Sequence, residues 1–189
     1  MGNVFPPEKL NRLNNTQRLR DIPPDIIWNR LRPGQPKTMI DIGAGTGLFA
    51  IPFAAKMKGG KLYACDISEA MVDWIKENVC PGHPDITALK MDDCSVPLED
   101  GLADLVFMIN LHHELDRPEA MIKEAFRLLK NGGKVFVVDW KKTDMPEGPS
   151  LGIRTTPDEV AGQMLGAGFV KPEIYQDLLK HFLVIAEKE

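Results

Sequence analysis

A basic excess, paired cysteines and long apolar runs are all missing from this 189-residue sequence. Lys and Arg number 23 against 27 Asp and Glu, a net charge of −4. The chain as a whole therefore lacks the positive footprint of a nucleic-acid binder. The charge is unevenly spread, with +4 on residues 1–39 and −8 on the remainder. A nucleic-acid role would have to use that N-terminal arm, and a short basic arm is more often a solvated face. The three cysteines, Cys65, Cys80 and Cys94, stand far apart with no C-x-x-C pair. That pattern points to reduced thiols in a cytoplasmic protein rather than a disulfide scaffold. His83 is the one histidine near Cys80, so no zinc spacing forms and no metal is expected. No apolar run exceeds residues 105–109, far short of the ~20 residues that span a bilayer. Pro6, Pro7 and Glu8 fall where a secretory signal would carry its apolar stretch, and position 6 lacks the Ser or Thr of a myristoylation site.

What is present is ordinary globular material, 43% hydrophobic and 26% charged, at a length that argues for one domain. Residues 1–37 hold six of the 15 prolines and no β-run. They read as an arm with helical pieces around 8–19 and 25–31, punctuated by Pro23-Pro24 and Pro33-Gly34-Gln35-Pro36. From Thr38 onward, short apolar strands alternate with amphipathic helices. Strands are expected at 38–42, 61–65, 86–91, 103–109, 134–139, 170–175 and 181–187. Helices are expected at 48–57, 68–79, 118–129 and 156–165, the last opened by the capping box Thr156-Pro157-Asp158-Glu159. Such alternation implies an open, mostly parallel α/β sheet with helices on both faces. About five residues join the last two strands, too few for a parallel crossover, so one strand should run against the rest.

Ligands of such sheets sit beyond the carboxyl ends of the strands. Here that is Asp41-Ile42-Gly43-Ala44-Gly45-Thr46-Gly47. Gly43 allows a sharp turn, Gly45 a close backbone approach and Gly47 tight helix packing. The spacing is G-x-G-x-G, because Leu48 replaces the last glycine of the dinucleotide fingerprint. Asp41 at the mouth of the loop would repel a pyrophosphate and suits an ammonium or sulfonium. Asp66 closes the second strand 19 residues after Gly47, where an acid accepts hydrogen bonds from ribose hydroxyls. Asp92 and Asp93 follow the third strand, where a carboxylate or backbone amide can read an adenine edge; one of the two is expected to be an unliganded loop residue. Together these features describe a nucleoside with a cationic amino-acid tail.

On these motifs the chain resembles the class I S-adenosylmethionine-dependent methyltransferases of the small-molecule type 11 family. The matching pieces are Ile40 through Gly47, the strand ending in Asp66, Met91-Asp92-Asp93 through Pro97, Asp104 through Met108 leading to Asn110, and Leu128-Leu129-Lys130-Asn131-Gly132-Gly133. They cover roughly residues 38–187. The resemblance implies a Rossmann-like seven-stranded fold in a single domain, with the arm before it. It also implies S-adenosylmethionine as cofactor. Asp41, Gly43, Ala44, Gly45 and Gly47 would surround its methionine portion and Asp66 its ribose. Ile67 would lie against the adenine, Asp92 and the backbone of Asp93 at the adenine edge, and Asn110 near the methionine end.

The acceptor side is read from residues after the fourth and fifth strands. His112-His113-Glu114 and Asp139-Trp140 open on the ligand face. His112, His113 and Asp139 are the candidate bases, Glu114 and Trp140 candidate acceptor contacts, and Arg154 a candidate partner for an anionic substrate. Adjacent residues point different ways, so at most two of the His-His-Glu run should face the cofactor. A sulfonium methyl is electrophilic by itself, so the enzyme's main task is alignment. A base is needed only when the nucleophile carries a proton. The competing readings are an S-adenosylmethionine-binding module or regulator without transfer activity, a nicotinamide-dependent reductase and a nucleic-acid methyltransferase. Asp41 argues against the reductase. The run Asn110-Leu111-His112-His113, in place of an Asn/Asp-Pro-Pro-Tyr/Phe motif, argues against methylation of a base or amide nitrogen. A small-molecule acceptor is expected, with the arm closing its pocket and the part before Pro23 as lid. The alternative is that the whole arm is a fixed cover.

Overall fold

The computed structural model describes residues 7–189. The first six residues of the predicted arm, with the readings at Gly2 and Pro6, lie outside the described residues. Three short helices come first: α1 (Pro7–Leu13), α2 (Gln17–Asp21) and α3 (Pro24–Leu31). The core follows as β1 (Thr38–Ile42), α4 (Ala50–Ala54), β2 (Lys61–Asp66), α5 (Glu69–Asn78), β3 (Ile86–Lys90), β4 (Ala103–Ile109), α6 (Pro118–Leu128), β5 (Leu129–Trp140), α7 (Pro157–Gly166), β6 (Val170–Tyr175) and β7 (His181–Glu187). The strands form one seven-stranded sheet in the order β3-β2-β1-β4-β5-β7-β6. β1 through β5 are parallel. β7 is the reversed strand, antiparallel to both β5 and β6, as the short final connection requires. Strand order reverses at β1, which pairs with β2 on one side and β4 on the other. The loops leaving β1 and β4 therefore diverge over a crevice, the usual ligand position in open α/β sheets.

Alternation along the strands feeds two cores. Leu105, Phe107 and Ile109 of β4 face a cluster with Phe53, Val72, Ile75 and Phe136. Val106 and Met108 face Met121, Ile122, Ala125, Val160 and Met164 from α6 and α7. The rings of Phe107 and Phe136 stack at 5.0 Å, and Phe53 of α4 packs tilted onto both. Ile22, Ile27 and Leu31 of the arm are fully buried in the first cluster, each such burial contributing roughly 1.5–3 kcal/mol. α3 is thus one of the covering helices of the sheet.

Two helices differ from expectation. The helix predicted over 8–19 is broken after Leu13, where the Asn15 carboxamide accepts the Gln17 backbone N–H at 2.9 Å; a short polar side chain competes with the helical ladder in this way. The helix predicted over 48–57 is regular only over Ala50–Ala54. Its first bonds, Ile51 N–H to Gly47 and Phe53 N–H to Phe49, are stretched to 3.3 Å, and Pro52 donates none.

Candidate active site

The first of two adjoining clefts is built from the ends of β1 and β2. After Asp41 and Ile42 the chain turns at Gly43, with φ +72°. A Cβ there would stand 2.7 Å from a methyl of Leu111, so the residue must be glycine on both counts. The N–H groups of Gly43 and Ala44 both donate to the Cys65 carbonyl, at 2.8 and 3.0 Å. The Asp66 carboxylate accepts the N–H of Gly45 and of Ser68, each at 2.8 Å. The glycine loop is thereby latched to the end of β2 and the entry to α5. A cleft of about 350 Å3 opens above it.

Of the predicted cofactor residues, Asp41, Gly43, Ala44, Gly45, Asp66, Ile67, Asp93 and Asn110 line this cleft. Gly47 and Asp92 do not. Gly47 is buried beneath the loop, where a Cβ would lie 3.4 Å from Val79 and 3.5 Å from Ile75. Asp92 is exposed and pairs through its backbone with Ser95. Asp93 is ion-paired to Arg117 at 2.7 Å. Ile67 is 56% exposed, an apolar platform at the cleft edge.

The cleft is electrostatically unbalanced. Asp41 is 2% exposed and one of its oxygens has no hydrogen-bond partner. Burial first, and Asp66 second, push its pKa well above the usual carboxylate range, while Arg18 pulls the other way. Arg18 comes from α2, donates to the Leu13 carbonyl at 2.8 Å and lies over the Phe49 ring. A cation placed beside Asp41 would relieve that burden. The Asn110 side-chain oxygen is also buried without a partner, on a residue held at φ +55°.

The second cleft, about 370 Å3, lies beside the first and shares Arg12, Leu13, Arg18, Asn110 and Glu114 with it. The 3-10 turn His112–Glu114 divides its three residues among three directions. His112 turns inward: its ring nitrogens meet the Thr155 hydroxyl at 3.1 Å and the Gln163 carbonyl oxygen at 2.7 Å. Both are spent on packing against α7, so the predicted base role of His112 is corrected to a structural one. Glu114 is exposed and borders both clefts. His113 lines the second cleft and rests on Asp139. Its Nδ1 lies 2.7 Å from one Asp139 oxygen, and its backbone N–H donates to the other at 3.0 Å. Asp139 is 1% exposed and also accepts the Trp140 N–H. A carboxylate accepts, so this hydrogen bond places a proton on Nδ1, and Nε2 lies 3.7 Å from a Glu114 carboxylate oxygen.

Trp140 lines the second cleft. Arg154 does not. It is 4% exposed, and its guanidinium donates to the carbonyls of Pro149, Lys141, Thr143 and Glu147 at 2.8–3.1 Å. Its donors are used to hold the loop after β5, which corrects the predicted anionic-substrate contact.

Sequence reading missed His181. His181 opens β7 directly across from Trp140, is 1% exposed, and borders the second cleft. Only the β5–β7 register, which the hairpin prediction did not include, would have found it. Leu13 and Arg18, from the part of the arm before Pro23, line both clefts.

The profile of the family described as "Methyltransferase domain", type 11, matches residues 40–137, more than half of the chain. A demethylmenaquinone methyltransferase of Bacteroides fragilis is 30% identical over 130 residues, covering 64% of this chain and 52% of that protein. A malonyl-[acyl-carrier protein] O-methyltransferase of Methylococcus capsulatus is 31% identical over 100 residues, covering 53% and 36%. The chain thus spans about half the length or less of these curated relatives. Among solved structures, a SAM-dependent methyltransferase from Aquifex aeolicus superposes with a TM-score of 0.89 at 28% identity, covering 97% of this chain and 98% of that one. Fold, glycine loop and family match agree: the chain belongs to the class I S-adenosylmethionine-dependent methyltransferases of type 11.

Proposed function

We propose that this protein transfers the methyl group of S-adenosylmethionine to a small-molecule acceptor, with cofactor in the first cleft and acceptor in the second. The observation that carries this reading is the shared wall. Asn110, Glu114 and the arm residues Arg12, Leu13 and Arg18 belong to both clefts, so the two ligands would lie against the same residues. The first cleft suits the cofactor: a buried, underpartnered Asp41 for a cationic tail, Asp66 for ribose hydroxyls, Ile67 for the base. When bound, S-adenosylmethionine supplies an electrophilic methyl carbon on its sulfonium. The protein's part is to align the acceptor, exclude water and take a proton if the nucleophile carries one. His113 is placed for that last task, because Asp139 holds its tautomer and supports positive charge on the ring. The name of one relative, a demethylmenaquinone methyltransferase, supports a small-molecule acceptor. No helix among the described residues is long and apolar enough to cross a membrane. The unpaired Cys65, Cys80 and Cys94 support action in a reducing, cytoplasmic setting.

The test is methyl-labelled S-adenosylmethionine incubated with the protein and a metabolite panel. Label should pass to a small molecule. With that acceptor, His113→Gln should lower kcat by about 10²–10⁴-fold, the usual range for a general base. An unaltered kcat would remove His113 from the chemistry. No transfer to any acceptor, despite tight cofactor binding, would favour a binding module.

A further inference from the structure

We propose that His181 and Trp140 form the corner of the second cleft that recognises the acceptor, and that the group they take is an uncharged hydroxyl on a flat ring, as in a phenol or enol. The inference deepens, and rests on, the reading of that cleft as the acceptor site. Three observations carry it. First, His181 is 1% exposed and neither ring nitrogen has a hydrogen-bond partner. An unpaired buried polar group is costly, and Phe182 beside it shows that the strand accommodates an apolar ring. A partner from the cleft is what the imidazole lacks.

Second, the corner suits a neutral group. One ring nitrogen of a neutral imidazole can pair with one hydroxyl, as donor or acceptor. In a corner this buried, a carboxylate or ammonium would have to be desolvated against a ring that supplies no counter-charge, which costs far more than burying a hydrogen-bonded hydroxyl. Burial supports this by pushing His181 down to about 4, against the opposing pull of Asp139 and Asp21. Lys180 is engaged, bridging Asp21 of the arm at 3.0 Å and Glu147 of the loop at 2.8 Å, and Arg154 is spent on carbonyls; Arg12, Arg18 and Glu114 are the other charges on the cleft wall.

Third, His181 meets a flat ring. The Trp140 and His181 rings lie 4.3 Å apart, tilted by 46°. Gly148 lies so close to the indole that a Cβ there would be 2.7 Å away. Leu13, Ile22 and Pro149 are the apolar part of a lining whose remainder is polar or charged. A ring hydroxyl anchored at His181 would have a set orientation in the cleft that also holds His113.

The experiment uses the full chain with 15N-labelled histidine; the sequence has four. Catechol serves as the neutral hydroxylated ring and benzoate as its charged counterpart. Catechol should shift the ring nitrogens of His181 saturably. His181→Phe should weaken catechol binding by at least about tenfold, the effect of leaving one hydrogen-bonding group unmatched, with S-adenosylmethionine affinity unchanged. Catechol binding that ignores His181→Phe, or benzoate that engages His181 as well as catechol does, would overturn the proposal. Should the variant fail to fold, magnetisation transfer between catechol and the Trp140 indole in the wild type decides: its presence sustains the proposal and its absence overturns it. Catechol binding without cofactor binding would sink the proposed function alone. Cofactor binding without catechol binding would sink this inference alone.

Discussion

Asp41 concentrates the residue-scale physics of the site. Its carboxylate is buried, faces Asp66 and has an oxygen without a partner, so its folded pKa is raised, burial outweighing the attraction of Arg18. A raised acid holds its proton to higher pH in the folded than in the unfolded chain. Its burial therefore costs stability progressively as pH rises above the unfolded value. A cationic ligand reverses the preference and expels the proton. S-adenosylmethionine should accordingly bind with proton release and tighten as pH rises through the Asp41 pKa. Calorimetry in buffers of different ionisation enthalpy measures that release. Asp41→Asn should abolish the linkage and weaken binding while raising the melting temperature of the unliganded protein. Equal proton release in both proteins would contradict the assignment. Asp41 was legible in the sequence because it stands in one contiguous motif with the glycine loop. The division of labour between His112 and His113 was not, since a 3-10 turn sends neighbours to Gln163 and Asp139, far off in sequence. Arg154 misled because a guanidinium beside a Gly/Pro-rich loop is equally able to bind an anion or the loop's own carbonyls.

At the scale of elements, the arm is divided. α3 and Ile22 are built into the core. α1 and α2 lean over the glycine loop, with Leu13 methyls 4.0 Å from where a Gly45 Cβ would be, and Lys180 ties Asp21 to β7. The sequence marked the arm as helical and apolar enough to need a partner. It marked Trp28 and Ile27 as residues that dock on the core, but not the break at Asn15 or Phe53 as the ring that Trp28 meets, which depends on where the sheet places α4. Deleting residues 1–20 keeps Ile22, Ile27 and Leu31 and removes Leu13 and Arg18. The truncated protein should fold and bind S-adenosylmethionine, less tightly, yet lose methyl transfer. Circular dichroism, calorimetry and label transfer check the three parts. Full turnover would show that the arm does not complete the acceptor cleft, and failure to fold would make its first half part of the core.

At the scale of the whole molecule, function follows from strand order. The reversal at β1 parts the loops after β1 and β4, and the reversed β7 brings His181 alongside Trp140 at the same edge of the sheet. Alternating periodicity and the short last connection made the parallel sheet and its one reversed strand legible. The insertion of β7 between β5 and β6 was not, because pairing partners across a sheet leave no local mark, and with it went the acceptor corner. The central claim is that the cofactor's sulfur points from the glycine-loop cleft into the arm-roofed one. A crystal structure with S-adenosylhomocysteine tests it most directly. The amino group should lie within hydrogen-bond distance of Asp41, the ribose hydroxyls on Asp66, and the sulfur at Asn110 facing the cleft of His113 and Trp140. A nucleoside bound elsewhere, or a sulfur turned away from that cleft, would contradict it.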